Sequence, residues 1–255
     1  AIFTIHGFCQ RMLREYAFES SSLFDTELTT DETVITGEIV DDYWRSRINS
    51  MSPILVDSLY RKGVNPDYGR QLLRKRSIDP GFAVVPSVPI AGTTEIERLN
   101  HELQGLFKKA KKAWEDNRSA AVELIDGAIE GGVLYANVYK RENFQGMVAH
   151  LDGYFSGSDA LAAGDTLKKW STEELTVKTK KGNETPVHPV FDAFGALYEG
   201  IQSFNEFMEQ QVIAIKGDFF NYVADELPRR KEQKNLRTFD DILKDMHTAL
   251  NGDPE

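Results

Sequence analysis

The sequence predicts a mainly α chain, an irregular helical bundle with a short N-terminal strand and one long C-terminal helix. Three observations carry that expectation. Apolar residues recur at close to 3.6-residue spacing through most of the 255 residues. Strand-like β-branched and aromatic residues open the chain at Ala1-Ile2-Phe3-Thr4-Ile5. From Pro189 to about Gln233 an unbroken stripe (Phe191, Phe194, Leu197, Ile201, Phe204, Met208, Val212, Ile215, Phe219, Val223) predicts a helix of roughly 60 Å at 1.5 Å per residue.

The elements follow in order. After the opening strand and a turn at His6-Gly7, Phe8, Cys9, Met12, Leu13 and Tyr16 form the buried stripe of a helix ending near Phe18. The Ser- and acid-rich stretch from Glu19 to Leu28 predicts a loop. Asp31 is the expected N-cap of a helix to about Ile48 carrying Ile35, Ile39, Val40, Tyr43 and Trp44. Ser52-Pro53 opens another helix that Gly63 stops, and Asn65-Pro66 opens a short one to about Arg76. The Pro- and Gly-rich segment 78–92 reads as a connector and as the internal sub-boundary. Thr93 to Asp116 and Ser119 to Glu130 are predicted as two helices, and Glu142 to Phe155 as a third. Ser156 to Pro189 reads as an irregular, partly mobile surface segment around a short helix near Thr166–Trp170. Pro228 is the expected kink in the long helix, and Thr238 the N-cap of a last helix containing Phe239, Ile242, Leu243, Met246 and Leu250.

Composition excludes several classes of function. The hydrophobic content of 41% supports a real core, but no apolar run approaches the roughly 20 residues that span a bilayer, and no leader pattern is seen. Cys9 is the single cysteine, which rules out an internal disulfide or a multi-thiolate metal site and fits the reducing cytoplasm. A net charge of −10 argues against a general nucleic-acid coat, because polyanion binding depends on Lys and Arg releasing phosphate counterions. Local basic faces remain: Arg61, Lys62, Arg70, Arg74, Lys75 and Arg76; Lys108, Lys109, Lys111 and Lys112; and Arg229, Arg230, Lys231, Lys234 and Arg237.

Several catalytic motifs are missing. There is no G-x-x-x-x-G-K-[ST] phosphate loop, no G-x-G-x-x-G between strand and helix, no H-E-x-x-H and no G-x-S-x-G. Tight ATP binding, a zinc site and serine-hydrolase chemistry are therefore not expected, and no catalytic or metal-binding residue is assigned. The paired acids Asp41-Asp42 and Asp240-Asp241 can in principle hold a metal; the plainer reading is an acidic first turn facing a helix N-terminus. The segment T-I-H-G-F-C-Q-R-M-L differs in kind. Thr4, His6 and Gly7 offer a hydroxyl, an imidazole and a close-approach backbone before an apolar helix, a combination suited to phosphate contact, against the plainer alternative of an ordinary strand-to-helix turn with a buried histidine.

Phe3 to Leu13 closely resembles the T-I-H-G-F-C motif of the RecB family, the β subunits of exodeoxyribonuclease V, and more loosely the T-x-H-G motif of UvrD-like superfamily 1 helicases. Thr238-Phe239-Asp240-Asp241-Ile242-Leu243 resembles the F-D-D-[ML]-L helix that follows the long insertion in the same family. Ala17-Phe18-Glu19-Ser20 and Glu184-Thr185-Pro186-Val187-His188-Pro189-Val190-Phe191 match further patches in the same order and spacing, while about Leu28 to Asp165 is carried by position only.

The resemblance implies a helicase 1B-type insertion domain over 19–237, a strand-turn-helix piece of RecA-like domain 1A over 1–18, and a return helix into 1A over 238–255. It implies that Thr4 and His6 contact a sugar-phosphate backbone, that Gly7 permits the approach, and that Phe239, Asp240 and Asp241 mark the return to the core, with Asp241 structural or strand-contacting. The first residue, Ala1, in the middle of a core-like run, adds the expectation of a piece of a longer protein.

The family's ATP-binding lysine loop, Walker B motif, arginine fingers and nuclease carboxylates have no counterpart here. ATP and Mg2+ are thus implied for the parent helicase-exonuclease of double-strand-break repair and no cofactor for this piece. Implied partners are single-stranded and duplex DNA at a fork and RecC- and RecD-type subunits.

Two functions fit these residues. In one, the chain handles DNA, with Arg229, Arg230, Lys231 and Arg237, and the group from Arg61 to Arg76, on phosphates. In the other, its acidic surface docks partner subunits or braces the motor without intrinsic DNA binding. A free-standing helical enzyme fits the missing motifs least.

Overall fold

The local signals for capping and periodicity translate into helices nearly everywhere they occur. The protein is seen in a computed structural model that describes residues 4–15, 27–75 and 88–251. Among these the chain is mainly α, with α1 (Ile5–Glu15), α2 (Thr33–Ser46), α3 (Pro53–Arg61), α4 (Pro66–Lys75), α5 (Thr93–Glu130), α6 (Phe144–Ser156), α7 (Asp165–Lys169), α8 (Thr172–Val177), α9 (Pro189–Gln233) and α10 (Phe239–Asn251). Two short strands, β1 (Glu27–Leu28) and β2 (Leu236–Arg237), pair in parallel with Glu27 opposite Leu236 and Leu28 opposite Arg237. The chain forms two compact units, residues 1–90 with 212–255, and residues 91–211.

In the first unit, α2 buries Ile35, Ile39, Val40, Tyr43 and Trp44, the stripe that its 3.6-residue spacing predicts. Leu55 and Leu59 of α3 and Val212, Ile215, Phe219 and Val223 of α9 are buried in the same unit. Phe219 meets the rings of Tyr43 and Trp44 at 5.1 and 5.6 Å, and the Tyr43 hydroxyl donates to Asp218 at 2.9 Å. Gly69 lets α4 close on this core, because a Cβ there would lie 3.2 to 3.3 Å from Trp44, Phe219 and Val40. A separate small cluster of Cys9, Leu13 and Ile242, with Leu28 and Met246, packs α1 onto α10.

The second unit is an aromatic core. Trp170 lies 5.6 Å from Trp114 of α5, stacks on Phe144 at 6.1 Å, and meets Phe191 of α9 at 6.2 Å. Phe194 adds contacts with Trp114 and Phe155 at 5.8 and 5.3 Å. Rings of this size each bury on the order of 150–250 Å² and so contribute heavily to the apolar surface that the unit removes from water.

Four expectations are corrected. The opening strand falls mostly on residues outside those described; Ile5 is helical, and His6-Gly7 is the first turn of α1 rather than a turn before it. Thr4 explains the difference, because its hydroxyl accepts the Gly7 N–H at 3.2 Å and its carbonyl the Phe8 N–H at 2.9 Å, so the helix starts directly after it. The break predicted around residues 117–118 is absent and α5 is one helix. Asn117 donates to the Ala113 carbonyl at 3.0 Å and Arg118 makes two bonds to Asp152 of α6 at 2.8 and 2.7 Å, so neither polar side chain pulls the backbone out of the helix.

The segment after Ser156 is not merely surface. α7 and α8 with the residues joining them bury Leu167, Trp170 and Leu175, and Ser171 caps α8 by accepting the Glu174 N–H at 3.2 Å. Finally, Asp41-Asp42 sits inside α2 and not in its first turn; the pair is taken up by basic side chains.

Other signals read directly. Pro53 and Pro66 each open a helix, Asn65 accepts the Tyr68 N–H at 2.9 Å, and Gly63 has a left-handed φ of 73° past the end of α3. Pro228 lies inside α9 without ending it. The loop expected over Glu19 to Leu28 lies outside the described residues except for Glu27 and Leu28 in β1, and most of the connector 78–92 lies outside them too.

Candidate functional site

The two motif-bearing ends of the chain meet in the first unit. Thr4, just before α1, and Ile5 are exposed to solvent, with His6 and Gly7 half-buried, and α10 begins at Phe239. The His6 imidazole stands edge-on to the Phe239 ring with centroids 4.8 Å apart. Cys9, Leu13 and Ile242 one to two turns deeper hold the two helices together, so the ring contact rests on buried packing.

The start of α10 is closed by a reciprocal cap. Asp241 accepts the backbone N–H and the hydroxyl of Thr238, both at 2.8 Å, while the Thr238 hydroxyl accepts the Asp241 N–H at 3.3 Å. The same Asp241 oxygen receives the Lys231 ammonium at 2.8 Å, and Lys231 also pairs with Glu32. Burial alone would push the Asp241 carboxyl up, but the bonds from Lys231 and Thr238 outweigh it and hold it below the usual carboxylate range.

Beside this cap lies a groove of about 490 Å³ between the threonine-rich approach to α2 (Thr29, Thr30, Thr33, Thr36), Leu73 and Arg74 of α4, and Thr238, Phe239, Asp240 and Lys244. Its hydroxyls and cations are matched by the acids Asp31, Glu32, Asp240 and Asp241, so it is polar without being strongly basic. Thr4, His6 and Gly7 do not line it.

The basic run that follows Pro228 is neutralised within the unit. Arg229 pairs with Glu226 at 2.6 Å; Arg230 bridges Glu226 at 3.0 Å and Asp42 at 2.6 Å; Lys234 pairs with Glu38 at 2.7 Å; and Arg237 pairs with Asp245 at 3.1 Å. Glu38 and Asp42 are four apart on α2, and Arg230 and Lys234 are four apart in sequence at the end of α9, so matched helical spacing aligns the charges. Burial would lower the Arg230 pKa, but Asp42 and Glu226 raise it, while Arg230 in turn holds Asp42 low. A phosphate at these cations would have to displace a carboxylate at each. In the earlier basic group, Arg61 pairs with Asp57 at 2.7 Å and Arg70 with Asp41 and Asp67, whereas Arg74 is exposed on the groove rim. Arg76 and the Lys75 side chain lie outside the described residues. On α5, Lys112 pairs with Asp116 at 2.8 Å and Lys111 reaches the Gly157 carbonyl at 3.4 Å.

Over 253 residues, 98% of its length, the chain is 27% identical to the RecBCD enzyme subunit RecB of Escherichia coli (strain K12). The chain is thus similar to RecB subunits along nearly its whole length. A 45-residue stretch, 18% of the chain, is 47% identical to RecB of Haemophilus influenzae and covers 4% of that protein. A 68-residue stretch, 27% of the chain, is 25% identical to RecB of Buchnera aphidicola and covers 6% of it. The chain spans 20% of the length of the E. coli RecB it matches. No family model matches it.

Within this RecB-like chain, sequence reasoning missed Glu32, Glu38 and Asp42 as partners of the basic run. The four-residue spacing of the last two against Arg230 and Lys234 was the available signal. It also missed the threonines of the groove, whose clustering at Thr29, Thr30, Thr33 and Thr36 carries no periodic signature. No described helix is long and apolar enough to cross a membrane, and no group of three or more His, Cys, Asp or Glu among the described residues is placed to hold a metal ion.

Proposed function

We propose that this chain handles DNA strands within a RecB-type helicase-nuclease of recombinational double-strand-break repair, with ATP and Mg2+ engaged elsewhere in the longer protein. In this reading residues 1–18 and 238–255 belong to the first RecA-like domain and 19–237 form its 1B-type insertion. The likeness to RecB along nearly the whole chain supports the setting. The observation that carries the site is the meeting of His6 with Phe239, which joins the two helicase-like motifs from opposite ends of the chain into one face. There Thr4, His6 and Gly7 approach a sugar-phosphate backbone, Phe239 offers a ring for stacking on a base, and Asp240 borders the strand. Arg74, exposed and lining the groove beside Phe239, adds a phosphate contact.

The test is fluorescence anisotropy of a labelled single-stranded oligonucleotide with the full chain across a salt series. Binding that weakens with salt, and that His6→Ala and Phe239→Ala each reduce by about tenfold, a step equivalent to ~1.4 kcal/mol, is expected. Absent or salt-independent binding overturns the reading for the isolated chain.

A second reading is favoured by one observation: Ile5 and Phe8 of α1 are 73% and 50% exposed, and Leu250 of α10 is 73% exposed. Such residues suit a docking face for RecC- or RecD-type subunits or for the motor itself. Under that reading Ile5→Ser with Phe8→Ser reduces co-purification with those subunits and leaves oligonucleotide binding unchanged.

A further inference from the structure

Lys231 belongs by sequence to a run of cations, and its surroundings set it apart from them. It is only 8% exposed, whereas its neighbour Arg229 keeps half of its side chain in water. Its ammonium has three donors, and two are taken by carboxylates on different elements: Glu32, just before α2, and Asp241 in the first turn of α10. Burial works against the charged form, but the two carboxylates outweigh it and the pKa is raised, so the group is cationic throughout the neutral range.

Asp241 is the node of this arrangement. A single oxygen accepts Lys231 Nζ, Thr238 N and Thr238 Oγ1, all at 2.8 Å. Those bonds tie the end of α9 to the residue where β2 gives way to α10. Phe239 lies between the two capping residues, so the direction of its ring toward His6 depends on that turn. Without the ammonium, Asp241 would keep the cap, but Glu32 and Asp241 would face each other as half-buried, uncompensated acids, and their repulsion would open the start of α10.

We infer that Lys231 is a positioning residue: clamped between Glu32 and Asp241, it sets the first turn of α10, and with it Phe239 against His6, and it makes no contact with the strand. This rests on the proposal that the α1–α10 face holds a DNA strand.

The test uses the full chain with Lys231→Met, Asp241→Asn and Glu32→Gln, the same single-stranded oligonucleotide and the same salt series. A lysine on a phosphate contributes about 0.7 to the slope of log affinity against log salt for a single strand. If Lys231 were such a contact, Lys231→Met would lower the slope by that amount. Asp241→Asn and Glu32→Gln would then strengthen binding, because each removes a negative charge that competes for the ammonium.

The positioning role gives the opposite pattern. Lys231→Met and Asp241→Asn each weaken binding by about tenfold with the slope unchanged, and loss of a carboxylate that weakens binding to a polyanion is the decisive sign. Glu32→Gln, which leaves the Lys231–Asp241 pair in place, gives a smaller loss. A reduced slope, or tighter binding by Asp241→Asn, overturns the inference.

A second readout separates its failure from that of the functional proposal. Cys9 is buried where α1 meets α10. Its reaction with a thiol reagent under native conditions accelerates several-fold in Lys231→Met and Asp241→Asn if the clamp holds that packing together. Should the unsubstituted chain bind no oligonucleotide, the functional proposal fails while faster labelling still supports the clamp. An unchanged labelling rate in variants that retain their helical circular dichroism overturns it.

Discussion

Residues 189–211 of α9 bury Val190, Phe191, Phe194, Leu197 and Ile201 among the rings of the second unit, while residues 212–233 of the same helix begin on an apolar stripe and end in ion pairs. One periodicity runs through both halves, yet the forces that hold them differ. Aromatic packing is indifferent to pH and nearly indifferent to salt; it depends on shape. The paired end depends on protonation and on each partner being present. It also follows Pro228, which removes a backbone donor from the helix interior. Arg230, Lys231 and Lys234, anchored to Asp42, Asp241 and Glu38, hold the last turns in place beyond it. Propensity alone would let the helix stop at the proline; tertiary ion pairs carry it on to the β1–β2 pairing.

The sharpest way to break this contrast is in the aromatic half. Trp170→Ala is expected to destabilise the second unit by about 4 kcal/mol, the scale for removing a large ring from a close-packed core. The chain has three tryptophans, Trp44, Trp114 and Trp170, so a Trp44→Phe background makes fluorescence report on the second unit alone in urea unfolding. An unfolding midpoint that stays put would mean the core is not built around this ring.

Next comes the clamp. Lys231→Met should cost the first unit about 2 kcal/mol, because removing the buried cation leaves its two half-buried carboxylate partners uncompensated. The difference in emission between chains with and without Trp44 follows that unit, and the second unit's transition should not move.

A smaller effect is the pH dependence of the clamp. Asp241 is held below its ordinary value of 3.8, so its contribution is present above that value and is lost as pH falls through the depressed one. Lys231 is held above its ordinary 10.5, so its contribution is present below that value and is lost as pH rises beyond it. The difference in melting temperature between the unsubstituted chain and Lys231→Met should therefore be flat from about pH 5 to 9 and shrink below about pH 4. A difference that changes steadily across neutral pH would implicate other groups.

Smallest of all, Arg229→Ala should leave the melting temperature of the first unit unchanged within error. Its pair with Glu226 is exposed on the arginine side, and such pairs contribute little in water. A loss comparable to that of Lys231→Met would show that the run acts as one network and that the singular role of Lys231 is misassigned.

Much of the fold is legible locally because helices are encoded by neighbours. The stripes of α2, α5 and α9 and the caps at Asn65 and Thr238 involve residues three to five positions apart, and all can be read along the chain. The errors have a common cause. Asn117-Arg118 looks like a break until Arg118 meets Asp152, and the stretch after Ser156 looks like surface until Trp170 meets Phe144 and Trp114. In each case the partner lies many residues away.

The candidate site divides along the same line. Sequence by itself determined that the chain is mainly helical and that its two end motifs are RecB-like, since both are statements about residue order. It also counted the cations after Pro228, but it could not say what they face. Only the tertiary structure decided that Arg230 faces Asp42, that Lys231 is closed between Glu32 and Asp241, and that His6 stands against Phe239. Whether a charge is free for a ligand depends on what lies within a few ångströms of it, and in a folded chain those neighbours come from segments that the order of residues leaves far apart.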